Sequence, residues 1–234
     1  MAETICKGYL VYRQDYNYFD EIIGFINEYG NLFFNIALGT KKILSKNARN
    51  LFYGCLSEFE FFASKNIDFK MGRLKKVTLL ENNIAIAYRM PLLVTNMIVA
   101  KNKLKGIKVF NLIKQTIDNL LQFSIEYDAV LIIDCLIRLC PQLGIKLQLN
   151  HCSMCNSKLI YSFSPDSFGF VCEDHWSQNY KIDPKAIELL YCIFLKKYQI
   201  ANRYDSTTKK VVTRILVDFI NDNAGFNLYN FLFK

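Results

Sequence analysis

The sequence predicts an α+β chain of more than one part: a small closed β-barrel, then an α-helical domain that carries a loop-rich, cysteine-bearing insert. Three observations predict it. Short aromatic and aliphatic runs, punctuated by Gly, Asn and Asp, recur through residues 1–81. From Asn82 onward the apolar spacing changes from that of strands to that of helices. Two short Cys/His pairs then interrupt the helical part at about residues 150–177. The expected division is therefore 1–81 and 82–234.

The strand candidates are ICKGYLVYRQDY, FDEIIGFINEYG, NLFFNIALG, NLFYGCLSEFEFFAS and DFKMGRLKKVTLLE. Alternation within Leu32–Leu38 puts Leu32, Phe34, Ile36 and Leu38 on one face and Phe33, Asn35 and Ala37 on the other. Five such strands with few helix-length patterns between them suggest closure into a barrel. Beyond them, Asn82 or Asn83 is a candidate N-cap for a helix carrying Leu92, Leu93, Asn96, Met97 and Ala100. Phe110, Ile113, Ile117, Leu120, Leu121 and Ser124 make a second stripe. Residues 129–139 are apolar almost all round, as in a helix buried on most sides. Asp183-Pro184 opens another helix, with Asp as cap and Pro at the first position; its expected core face is Ile187, Leu190, Tyr191 and Phe194. A last helix from about Ser206 carries Val211, Ile215, Phe219 and Ile220.

At 234 residues the chain can bury one large core or two small ones. Hydrophobic residues are 52% of it and charged ones 21%, which excludes general disorder. With only 10 Gly and 4 Pro it is not linker-dominated. The start, MAETICKGYL, carries Glu3 and lacks the basic and apolar regions of a secretion signal. The most apolar stretch, 84–100, is broken by Arg89 and Pro91 and is too short to span a bilayer. A cytoplasmic protein is expected.

Eight cysteines need an intracellular explanation. Cys6, Cys55, Cys135 and Cys192 lie in apolar runs and read as small core residues, and a cytosolic compartment argues against disulfides. The others differ. Cys152-x-x-Cys155 is followed, sixteen residues later, by Cys172-x-x-His175. Two-residue spacing lets both side chains of a knuckle converge, and a hairpin between the knuckles closes a tetrahedron, as in a zinc ribbon. His151 abuts Cys152 and Cys140 lies near, but only His175 completes a second knuckle with Cys172. Four protein ligands leave no open position, so one structural zinc ion per chain is expected rather than a catalytic one.

Charge is uneven as well. Lys and Arg number 29 against 21 Asp and Glu, a net +8 that favours a polyanionic partner such as nucleic acid or an acidic membrane surface. No acid occurs between Glu28 and Glu58, a window that holds Lys41, Lys42, Lys46 and Arg49. None occurs between Glu81 and Asp118, where Lys101, Lys103, Lys105 and Lys108 crowd a loop between helices. Small barrels bind nucleic-acid strands by a basic groove with aromatic platforms, so both clusters are candidate nucleic-acid contacts.

These parts together resemble the bacterial recombination mediator family RecO. The N-terminal strand runs into Arg13-Gln14-Asp15-Tyr16, and Glu28-Tyr29-Gly30-Asn31-Leu32 follows. Ala37-Leu38-Gly39-Thr40-Lys41-Lys42, then Ser45-Lys46, is similar to the family's basic small-residue loop. Leu143-Gly144 before Cys152-x-x-Cys155 is similar to its entry to the zinc finger. The resemblance spans nearly the full length. It implies an OB-fold, then a helical bundle with an embedded zinc finger. It also implies a nucleoid-associated, non-enzymatic mediator that binds single- and double-stranded DNA and anneals complementary strands. On that resemblance the two basic clusters are DNA contacts. Such a mediator helps load recombinase on strands coated by single-strand-binding protein, with RecR as partner and the acidic tail of single-strand-binding protein docked on the helical part. Two departures stand out: the last knuckle ends in His175 where the family often has Cys, and the basic loop is sparse in Arg.

Three other classes compete, one of them a transcription-type zinc-ribbon adaptor with no nucleic-acid affinity of its own. An RNA- or ribosome-associated OB-fold zinc protein would suit the same barrel and charge. A cysteine hydrolase using Cys140 or Cys192 is disfavoured, because only two histidines exist and neither cysteine stands in a nucleophile turn.

Overall fold

In the computed structural model, five strands follow the expected runs: β1 (Glu3–Asp15), β2 (Glu21–Asn27), β3 (Leu32–Ala37), β4 (Leu56–Phe62) and β5 (Met71–Leu79). They close a barrel in the order β1-β2-β3-β5-β4, every pairing antiparallel except the parallel β3–β5. This is a closed barrel of the OB type. The structure describes residues 3–64, 71–177, 182–225 and 227–232.

One strand must serve two neighbours for the ring to close. β1 pairs with β4 over Glu3–Tyr9 and with β2 over Gly8–Asp15, and a bulge between Leu10 and Tyr12 bends it between the two. Inside, Leu10, Ile23, Phe25, Leu51, Phe59, Phe61, Leu74 and Val77 form the core. Phe25 stacks flat on Phe59 at 4.0 Å between ring centroids and meets Phe61 edge-on at 5.3 Å. Each fully buried ring contributes roughly 1.5–3 kcal/mol relative to exposure. On β3 the inward face is Phe33, Asn35 and Ala37, with the more apolar face half-exposed outside. Asn35 is fully buried, and neither of its amide atoms has a hydrogen-bond partner among the described residues.

The barrel shares its compact unit with two helices. Residues 1–122 form one compact unit and residues 123–234 a second, so two helices, α1 (Met90–Lys101) and α2 (Ile107–Gln122), belong with the strands. The amide of Gly106 in the α1–α2 turn donates to the carbonyl of Gly30 in the β2–β3 turn at 2.7 Å. α1 starts later than a cap at Asn82 or Asn83 would place it. Asn83 precedes only a single 3-10 turn, Ile84–Ile86, and its side chain donates to the Gly54 carbonyl at 3.2 Å. The helix begins after Arg89 with Pro91 in its first turn, where a missing amide costs nothing. The buried face of α2 is Val109, Leu112, Ile113, Thr116, Ile117 and Leu120, about one residue round from the expected stripe. Leu121 is exposed, and Phe110 turns to the Tyr9 ring.

The second unit packs α3 (Asp128–Leu139), α4 (Pro184–Phe194), α5 (Tyr198–Ala201) and α6 (Ser206–Ala224) around a two-stranded hairpin, β6 (Ser162–Ser164) and β7 (Gly169–Val171). α3 is buried on most sides, as its composition predicts. Asp183 caps α4 by accepting from the Lys185 amide at 2.9 Å, and Asp205 caps α6 by accepting from the Thr208 amide at 2.9 Å. Leu189, Leu190 and Ile193 carry more of the α4 core than Tyr191, which is exposed. On α6, Val212 and Leu216 are buried and Val211 is not. Phe163 and Phe168 of the hairpin segment meet Phe219 of α6 edge-on. Among the described residues no helix is long and apolar enough to cross a membrane.

Candidate metal centre and nucleic-acid interface

The two knuckles are built by local backbone turns. In the first, the Cys152 amide donates to the Ser157 carbonyl at 2.8 Å and the Asn156 amide returns to the Cys152 carbonyl at 3.0 Å. Asn156 takes the left-handed conformation that this return needs, one Asn tolerates. In the second, the His175 amide donates to the Cys172 carbonyl at 3.2 Å, closing a 3-10 turn. The β6–β7 hairpin sets the knuckles face to face, and the Ser153 amide donates to the Phe170 carbonyl of β7 at 2.8 Å.

All four ligand atoms of Cys152, Cys155, Cys172 and His175 lie within 4.8 Å of one another. Cys152 Sγ is 3.7 Å from His175 Nδ1, Cys172 Sγ is 3.2 Å from that nitrogen, and Cys155 Sγ is 3.6 Å from Cys172 Sγ. A tetrahedron with metal–sulfur bonds of about 2.3 Å has edges of about 3.8 Å, so the quartet has the dimensions of a metal shell. A disulfide needs sulfurs about 2.05 Å apart, and the cysteines are free thiols. Cys152 and Cys172 are buried with Val171 and against Trp176, whereas Cys155 and His175 are exposed.

The electrostatics fit a cation as well. Burial works against ionising Cys152, yet the amides of Cys172, Cys155 and Met154 turned on its sulfur bring it down to about 6. Burial and the neighbouring Cys155 and Cys152 push Cys172 up. A cation at this point would favour the thiolate forms over the thiols, which is what metal ligation requires.

His151 stands outside the quartet. Its Nδ1 lies 3.0 Å from the Cys152 carbonyl and its Nε2 lies 3.0 Å from Gln148 Nε2, so both ring nitrogens are engaged elsewhere. Cys140 is buried and its thiol donates to the Leu136 carbonyl; burial pushes it up to about 12, the behaviour of an inert core thiol.

The basic residues fall in two exposed turns, both in the first unit. Lys41, Lys42, Lys46 and Arg49 lie between β3 and β4. Lys101, Lys103, Lys105 and Lys108 lie at the α1–α2 turn. The first turn is knit to the β1–β2 loop: the Gly39 amide donates to Asp20 Oδ1 at 2.7 Å and the Lys41 amide to the Phe19 carbonyl at 3.0 Å. Lys41 Nζ pairs with Asp15 at 2.8 Å, and Lys42 Nζ lies 5.3 Å from the centroid of the Phe19 ring. That loop exposes Tyr16, Tyr18 and Phe19. Sequence reasoning from charge alone misses these rings, although their spacing in RQDYNYFD is visible beside the basic window.

A closed OB-type barrel, a basic turn beside exposed rings, and a Cys3His quartet in a helical unit define a nucleic-acid-type barrel protein with a metal-finger insert. The family described as Recombination protein O C terminal matches residues 84–228. A protein named DNA repair protein RecO from Mycoplasma mycoides subsp. mycoides SC is 25% identical over 240 residues, covering 95% of this chain and 93% of its own. Another of that name, from Mesoplasma florum, is 28% identical over 189 residues, 76% of this chain and 69% of its own. The chain belongs to the RecO family of DNA repair and recombination proteins.

Proposed function

We propose that the protein binds single- and double-stranded DNA, anneals complementary strands and assists recombinase loading on DNA coated by single-strand-binding protein, with RecR as partner. It would act as a non-enzymatic mediator on the chromosome in the cytoplasm. The observation that carries this reading is the juxtaposition of the Lys41–Arg49 turn with the Tyr16–Phe19 loop at one rim of the barrel. Cations there suit phosphates and rings suit bases, the two requirements of a strand-binding groove. The Lys101–Lys108 turn extends the positive field within the same unit.

In this reading residues 1–81 are the nucleic-acid barrel, joined in one compact unit by the helices that carry the Lys101–Lys108 turn, partner contacts fall within residues 82–234, and residues 150–177 are a finger holding one zinc through Cys152, Cys155, Cys172 and His175. Bound zinc would hold the knuckles together and supply folding free energy rather than reactivity. We also place the docking site of the acidic tail of single-strand-binding protein on the helical part. Ile113, Ile117, Leu120 and Leu190 are buried core, so the tail must use other groups. A strand-annealing assay with complementary oligonucleotides, bare and coated by single-strand-binding protein, tests the whole reading. Acceleration in both is expected; no acceleration of either overturns it.

A further inference from the structure

Between β3 and β4 the chain makes a hydrogen-bonded turn in which the Ser45 amide donates to the Lys42 carbonyl at 3.0 Å. Its two central residues are Ile43 and Leu44. Such positions ordinarily hold Gly, Asn, Asp, Ser or Pro, each for a conformational reason that an aliphatic side chain does not serve. Here Ile43 is 95% exposed and Leu44 82%. The turn is held at both ends. The bonds from Gly39 and Lys41 fix its start, and its end is stitched to β5, where the Val77 amide donates to Asn47 Oδ1 at 3.1 Å and Asn50 Nδ2 donates to the Val77 carbonyl at 2.9 Å. The aliphatic pair is thus a fixed projection.

Cations flank it in sequence, Lys41 among them being paired with Asp15 at 2.8 Å. Lys41, Lys42, Lys46 and Arg49 are exposed, and no acid lies between Glu28 and Glu58. A ligand that complements an apolar tip flanked by positive charge must be anionic at its edges and apolar within. Stacked bases between phosphate backbones have this character, and aliphatic side chains that enter a base step partly unstack it. Tyr18, 86% exposed, and Phe19 lie in the loop bonded to this turn and offer faces for a displaced base.

We propose that Ile43 and Leu44 form a wedge that enters between adjacent bases of DNA held by Lys41, Lys42 and Lys46. The inference rests on the DNA-binding reading above and adds to it a local opening of the stack. An acidic lipid surface is the competing chemistry for a basic apolar tip, and the test separates the two.

The full-length protein is titrated into an oligonucleotide duplex carrying 2-aminopurine, whose fluorescence rises on unstacking. The comparison is Ile43→Ser/Leu44→Ser, two exposed positions whose replacement leaves the thermal unfolding midpoint unchanged. The unmodified protein should raise the fluorescence at saturation. The double variant should lose that rise and bind about tenfold more weakly, with the same salt dependence, because its phosphate contacts remain. A variant that keeps both rise and affinity overturns the wedge and leaves DNA binding intact. No binding by the unmodified protein overturns both. Binding to phosphatidylserine-containing vesicles that the double variant loses, with its DNA signal unchanged, also overturns the wedge and assigns the tip to membranes.

Discussion

Gly30 and Gly106 touch, 2.7 Å from carbonyl oxygen to amide nitrogen, across seventy-six positions of sequence. Gly30 has φ +81° and sits so close that a Cβ there would stand 2.1 Å from the Gly106 carbonyl carbon. Gly106 has φ +112°, but a Cβ there meets nothing within 4 Å. The two positions therefore separate backbone strain from steric collision. Gly30→Ala should destabilise by about 2 kcal/mol or more, and Gly106→Ala by about 1–2 kcal/mol, from the left-handed backbone alone. Urea unfolding of the two variants measures the difference, and equal losses would remove the glycine contact as a determinant of the first unit.

This contact also explains what the sequence hides. The strands were legible, because period-two alternation between Gly, Asn and Asp is a local signal. Asp183 and Asp205 as caps follow equally local rules, although only Asp183 stood out before Pro184. That α1 and α2 fold with the barrel depends on a meeting of two distant turns, and no local pattern reports it. The inward face of β3 was similarly obscure: hydrophobicity favours Leu32, Phe34 and Ile36, whereas barrel closure buries Asn35. In the finger, knuckle spacing brought the quartet into view, while the engagement of His151 with Gln148 needed coordinates. Ile43 and Leu44 resemble core residues on paper, and only the turn shows them exposed.

Removal of the metal should unfold the finger. About one zinc per chain is expected, and Cys152→Ser should abolish it and yield poorly soluble protein, since such sites supply roughly 10–16 kcal/mol in isolated finger peptides. Cys6→Ser and Cys192→Ser should retain full metal content. Elemental analysis of protein purified without chelator checks all three, and a metal-free wild type would refute the assignment.

Lys41 is partly neutralised by Asp15. Four phosphates bound by Lys41, Lys42, Lys46 and Arg49 would give a slope of log K against log salt of about −3 to −4. Lys42→Ala/Lys46→Ala should flatten it by about two. Asp15→Asn should free Lys41, raise affinity at low salt and steepen the slope by up to about one. A slope insensitive to the lysine pair would move the site to the Lys101–Lys108 turn.

In the second unit, Asp134 is fully buried, with Arg138 Nε at 2.7 Å and Lys196 Nζ at 2.5 Å. Lys196 reaches it from the left-handed position just past α4, at φ +60°, where glycine is usual. The Lys197 amide bonds the Cys192 carbonyl and the Lys196 amide the Ile193 carbonyl, both at 2.9 Å, which closes the helix end. Asp134→Ala should cost about 3–5 kcal/mol, because it removes the carboxylate that balances the Arg138 charge in a mostly buried place. Lys196→Gly should change stability by less than about 1 kcal/mol, the relief of backbone strain offsetting a half-exposed ion pair. Denaturant midpoints of the two variants provide the comparison.

The cap of α6 should be pH-dependent. The Thr208 hydroxyl and then the Thr208 amide hold the Asp205 carboxyl below its usual range. A lowered folded-state value means that the contribution is present in full above the ordinary carboxylate range and fades as pH falls through the lowered value. Asp205→Ala should therefore lower the unfolding midpoint at neutral pH, and the gap to wild type should narrow in acid. A gap that stays constant from neutral to strongly acidic pH would contradict the capping role.

The strand order bears on how the chain acquires its shape during synthesis. β1, β2 and β3 are neighbours in sequence and can pair as soon as residue 37 has emerged. β5 is the keystone, since it alone joins β3 to β4, and it is complete only at residue 79. Until then the nascent three-stranded meander presents β3 as a bare edge, a site for pairing with another chain. Closure removes that edge, so the interval between residues 37 and 79 is when β3 stands open to pairing with another chain.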